Sequence, residues 1–141
     1  MRRLTVIQPF LQRREREIMA KTVCKLLGLV LLIVGLLGFT HLLDPIGAHV
    51  GPAYAPHNLV HIVSGVLALY FGFAGSLSSA KGFCLIFGIV YLALGILGIA
   101  LGHPPDHMWV CGPLHLGNSD HAIHALLGIV FLAGGLLTKK G

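Results

Sequence analysis

The chain has 141 residues, of which 55% are hydrophobic and 11% charged, with a formal net charge of +5. Its mean hydropathy is +0.85. A soluble domain carries about 25% charged residues, so a water-soluble core is excluded and a lipid bilayer is the natural solvent.

The N-terminal 20 residues are polar and basic, with Arg2, Arg3, Arg13, Arg14 and Arg16. They read as a short cytoplasmic arm ahead of a domain over 21–141. The run Met19-Ala20-Lys21 also looks like an ordinary translation start, so Met1 and Met19 both stand as starts. Four apolar stretches follow, near 26–43, 58–75, 82–101 and 121–138, and none contains Lys, Arg or Glu. A spanning helix needs about 17–25 mostly apolar residues. The stretches are too continuously apolar for barrel strands, which alternate with a period of two. The expected fold is therefore an all-α membrane protein with four transmembrane helices.

Every Lys and Arg falls on one side of such a fold. Seven precede the first span, Lys81 lies between the second and third, and Lys139 and Lys140 follow the fourth. The loops near 42–57 and 102–120 have none. This is the positive-inside pattern. It places both termini in the cytoplasm of a bacterial inner membrane, and it assigns the basic charge to topology rather than to nucleic acid. The lipid bilayer is the expected partner, with a homo-oligomer or another membrane protein as further possibilities.

The sequence repeats itself. A shift of 60 superposes Lys21 on Lys81, Cys24 on Cys84, Gly28 on Gly88 and Gly35 on Gly95; a shift of 63 superposes His61 on His124, Gly65 on Gly128 and Gly72 on Gly135. The halves, about 21–76 and 81–138, read as two tandem helix hairpins of the same orientation, a parallel repeat. In each span two glycines stand seven apart: Gly28/Gly35, Gly65/Gly72, Gly88/Gly95 and Gly128/Gly135. Seven residues return to the same seam of a left-handed helix pair, and small residues let helices approach closely in lipid. The plainer reading is that glycine is common in membrane helices.

All nine histidines lie on the face away from the basic residues. His61 and His124 sit about one turn inside the second and fourth spans, each four residues before a seam glycine. An ionisable residue within a span is a functional-site hypothesis by default. These two are candidate cofactor ligands, for haem or a transition metal. With His57 and His121 they form a candidate metal set, since imidazole suits several transition metals. His57 is four before His61 and Asp120 four before His124, so either suits an orienting role. Asn58 and Asp120 also suit helix caps. Purely structural hydrogen bonding by His61 and His124 is the leading reading, ahead of metal or haem ligation and then of proton sensing or relay.

In the loop before the fourth span, His103, His107, Cys111 and His115 recur at every fourth position. On a helix they would share a face, but Pro104, Pro105, Gly112 and Pro113 oppose one. A folded loop that gathers them, with Met108, would make a soft-metal site. Cys24 and Cys84 lie towards the cytoplasmic side, where thiols stay reduced. No nucleophile motif, P-loop or dinucleotide fingerprint supports an enzyme.

The pattern Asn58-x-x-His61-x-x-x-Gly65, the pattern Asp120-x-x-x-His124-x-x-x-Gly128 and the glycine-rich third span resemble a bacterial family of small four-helix membrane proteins catalogued as a domain of unknown function. The resemblance covers about residues 21–138. It implies the fold and the membrane location, and it implies no activity. The outer histidines and Cys111 are not part of that pattern. A binding or sensing protein with its site at the outer ends of the second and fourth spans is the first functional expectation. A structural or accessory subunit is the second, and an oligomeric transporter or channel the third.

Overall fold

The computed structural model describes residues 2–139, with side chains from Ile18 onward. The side chains of the basic arm as far as Glu17, and all of Met1, Lys140 and Gly141, lie outside the described residues. Four long helices dominate: α1 Arg2–Leu37, α2 Ala55–Phe73, α3 Leu77–Leu101 and α4 Asn118–Leu137. The backbone of the basic stretch is helical from Arg2 and continuous with the rest of α1.

The first helix stops at Leu37, short of the apolar run. Its last carbonyls are taken by a tightened turn: Thr40 N–H donates to the Leu37 carbonyl at 2.9 Å, and the Thr40 hydroxyl donates to the same oxygen at 2.6 Å. Such bonds satisfy the carbonyls that a helix end leaves free. The chain then makes two 3-10 turns, Asp44–Ile46 and Pro52–Tyr54. Pro56 stands in the first turn of α2, where its missing N–H costs nothing. Ser76 caps α3, its hydroxyl accepting from Ser79 N–H at 3.1 Å.

Where a folded loop was expected after α3, the chain builds a small hairpin, β1 Trp109–Cys111 and β2 Leu114–Leu116. Val110 pairs with His115 and Cys111 with Leu114. Proline at 104, 105 and 113 denies helical hydrogen bonds to this segment, and Gly112 turns it with a φ of 58°.

Helix α1 packs chiefly on α2, and α3 on α4. A Cβ placed on Gly28 would stand 2.9 Å from Leu69 N, and one on Gly65 2.6 Å from Leu32 N. Gly88 and Gly95 meet the α4 backbone in the same way, at Leu132 and Ala125. Between the pairs lies an apolar core of Leu31, Phe83, Tyr91, Leu127 and Phe131.

Among the described residues three helices, Ile18–Leu37, Leu77–Leu101 and Asn118–Leu137, are long and apolar enough to cross a membrane. The second helix is outside that set. His57, Asn58, His61 and Ser64 lower its hydropathy, and all four are buried. Its outward face is apolar, with Leu59, Val63, Val66, Tyr70 and Phe73 more than half exposed.

Candidate metal centre

On α2, His57 and His61 are four residues apart and therefore share a face. Their rings stack, with centroids 4.6 Å apart. Opposite them, α4 presents His124, 5.5 Å from His57 and 6.2 Å from His61 by ring centroid. The three rings are 2–4% exposed. One nitrogen from each lies within 4.8 Å of the other two. Tyr91 of α3 closes the cluster from below, its ring 5.5 Å from that of His124.

The hydrogen bonding leaves nitrogens free. His57 Nδ1 lies 2.7 Å from the His49 carbonyl. A carbonyl oxygen only accepts, so Nδ1 carries the proton and Nε2 presents a lone pair. That Nε2 is buried and unpartnered, as are His61 Nδ1, His124 Nδ1 and the Tyr91 hydroxyl. Buried polar atoms without partners are few in folded proteins and call for a cause, an ion or water among them. His61 and His124 also line, with Asp120, a cavity of about 90 Å³.

His49, in the loop between α1 and α2, is held in turn by Asp120. The carboxylate of Asp120 accepts from His49 N–H at 3.0 Å and from Gly117 N–H at 2.8 Å, and it lies 2.7 Å from His49 Nδ1. Asp120 is 2% exposed. A buried carboxylate needs this many donors to offset its lost hydration. The chain of contacts from Asp120 through His49 anchors the second nitrogen of His57, as the outer shell of a metal site does for its ligands; among the described residues His61 and His124 have no such anchor.

Three nitrogens around a tetrahedral zinc, at about 2.0–2.1 Å from it, would stand roughly 3.4 Å apart. The cluster's spread of up to 4.8 Å is wider than that, so the rings would have to draw in to share an ion.

The family described as Domain of unknown function (DUF4383) matches residues 21–137. The chain belongs to this family. No curated protein and no solved structure matches the chain. The match takes in all four long helices from Lys21 onward, so His57, His61 and His124 lie within the family region. The family's description assigns no activity.

The other residues singled out by sequence lie apart from this cluster. His121 points to the α3 side, where its Nε2 is 2.9 Å from the His107 carbonyl and its ring fills the space above Gly98. Asn58 is not a cap. Its amide donates to the carbonyls of Gly38 at 2.8 Å and Gly51 at 3.1 Å, tying the loop after α1 to α2. Asp120 is the third residue of α4 and caps the helix from there, its carboxylate accepting from Gly117 N–H at the N-cap; it contacts His49 rather than His124. His103 joins Met108 in an isolated bridge, the His107 carbonyl serves His121, and Cys111 and His115 occupy opposite strands of the hairpin. Every-fourth spacing shares a face only on a helix, and this segment is a hairpin.

Two participants escaped the sequence reading. His49 gave no local signal, being one histidine in an irregular loop. Tyr91 gave one: it is the polar interruption in the middle of an apolar helix, where the other half of the repeat has Leu31.

Proposed function

We propose that this is a four-span membrane protein that binds one divalent transition-metal ion through His57 Nε2, His61 and His124, as a metal-binding or metal-sensing protein. The observation that carries the reading is the fixed proton on His57 Nδ1 beside three buried, unpartnered ring nitrogens. The outer-face position follows from the segregation of Lys and Arg. Asp120 lines the same cavity and supplies a negative charge against the ion's two positive ones. Haem fits less well, because the cavity of about 90 Å³ is far below the roughly 300–1,000 Å³ of pockets that enclose larger ligands. The second helix completes the fourth span, since its polar residues face inward and its outward face is apolar. The two hairpins then run in the same sense, with both termini in the cytoplasm.

The test is metal analysis of protein purified from membranes without a polyhistidine tag, before and after loading with zinc or cobalt. We expect one ion per chain and, for cobalt, a visible band of tetrahedral type. A chain that stays metal-free after loading, with stability losses that merely add when His61 and His124 are both replaced, would leave these histidines a structural role. The topology has its own check. Cys111 should react with an impermeant maleimide from the outer face; reaction only after the inner face is opened overturns the orientation.

A further inference from the structure

The metal-site reading makes no use of Cys24 and Cys84. They occupy the same position in the two halves of the repeat. Both are free thiols with no exposed surface. Their sulfurs are 3.4 Å apart across the contact between α1 and α3. The surroundings are reciprocal: the Cys24 thiol faces the Ala80 carbonyl at 3.8 Å, and the Cys84 thiol faces the Ala20 carbonyl at 3.6 Å. Ala20 and Ala80 are themselves related by the shift of 60. Fully buried alanines on both helices allow the approach.

We propose that Cys24 and Cys84 are a redox-active pair that closes into a disulfide joining the two halves of the bundle. The oxidant class is a small uncharged peroxide, which crosses bilayers. One sulfur attacks the peroxide O–O bond and becomes a sulfenic acid, and the first water leaves. The second thiol then displaces that oxygen, the S–S bond forms, and a second water carries away the remaining oxygen and proton. Two thiols lose two electrons in all, and hydrogen peroxide becomes two waters. A dithiol reductant reverses the change.

Three physical points select this chemistry. A disulfide needs its sulfurs at about 2.0 Å, so they close by roughly 1.4 Å from a pair already in contact. The product is neutral. A soft monovalent ion on two thiolates would instead leave a net negative charge in an apolar seam, which is costly. The resolving thiol is also in place, so a sulfenic acid formed on either sulfur is consumed before further oxidation.

The pair lies at the other end of the bundle from the histidines. Gly72 packs on Lys25, beside Cys24, whereas Gly35 packs on Asn58 and Ile62, beside His61. Eleven residues separate these levels on α1, or about 16 Å of helical rise. The pair is therefore independent of metal binding, and either proposal can fail alone.

The experiment uses the full chain with Cys111→Ser, reconstituted in vesicles. Samples are treated with hydrogen peroxide or with diamide, denatured, and modified with a maleimide-linked polyethylene glycol. Reduced protein should take two labels; oxidised protein should take none, run as a monomer on a non-reducing gel, and regain both labels after a dithiol. With Cys24→Ser added, one label should be taken before treatment, and peroxide should then leave an unresolved sulfenic acid on Cys84, trapped by dimedone, with no disulfide within the chain. Should that variant fail to fold, mass spectrometry of the wild type reads the same event, as a cross-linked pair of peptides lighter by two hydrogens. Two labels persisting after both oxidants would overturn the proposal, as would a cross-link between chains.

Discussion

The two halves of the chain match at the end of the bundle that holds Cys24 and Cys84 and differ around the histidines. Helices α1 and α3 align at 60 residues, α2 and α4 at 63, and the residues that coincide are small or at the seams: alanine at 20 and 80, cysteine at 24 and 84, glycine at 28 and 88. Around the buried cluster the halves diverge. His61 matches His124, but His57 matches Asp120, Asn58 matches His121, and Leu31 matches Tyr91. The loops diverge further, with 3-10 turns in one half and a hairpin in the other. Helix packing in lipid asks for the same close approach in both halves. A metal site asks for unlike parts, namely ligands, one counter-charge and an anchored ring. A repeated sequence frame, with the proposed site built from unlike parts, would meet both demands.

The largest effect is expected at the shared seams. A Cβ on Gly35 would lie 2.8 Å from Ile62 N, and one on Gly95 2.7 Å from Ala125 N. Leucine at either position should cost about 1–3 kcal/mol or more, seen as loss of monodisperse folded protein. Ile96→Leu, at a side chain 56% exposed, should be silent. If one half tolerates leucine at its seam, the equivalence of the halves is broken.

Next come the two histidines that the repeat does pair. His61→Ala and His124→Ala should each remove most of the bound metal, and the double variant should add little, because the two act on one site. His121→Ala should leave metal content intact. Additive losses would show two separate sites.

Asp120→Asn probes the half of the site that has no counterpart. Loss of the charge-assisted contacts to His49 should loosen the anchor of His57. Metal affinity should fall about 10–100-fold, as outer-shell changes generally do, with the helical content unchanged by circular dichroism. An unaltered affinity would detach Asp120 from the site.

Tyr91→Phe carries the smallest effect. The hydroxyl is buried without a partner, and leaving such a group unsatisfied costs about 1–3 kcal/mol. Its removal should leave metal-free stability unchanged or raise it by about 1 kcal/mol. A marked loss in thermal unfolding would mean that the hydroxyl makes a bond that matters.

The sequence by itself determined the class of fold. Long apolar runs free of Lys, Arg and Glu have one economical solution, helices whose backbone bonds are internal, and four long helices result. It also determined that His57 shares a face with His61, and that glycines seven apart share a seam, because a helix's period is local and regular. It did not determine where α1 ends, since Thr40 and the turn after it close the helix six residues before the apolar run does. Nor did it determine the partners of the site. That His124 meets His57 and His61 while His121 turns to His107, that Asp120 holds His49, and that His103, His107, Cys111 and His115 spread over a hairpin are outcomes of the tertiary structure. The reason is physical. A face is set by residues a turn apart, whereas a buried imidazole's neighbours are set by the path of loops and the docking of helices more than 60 residues away.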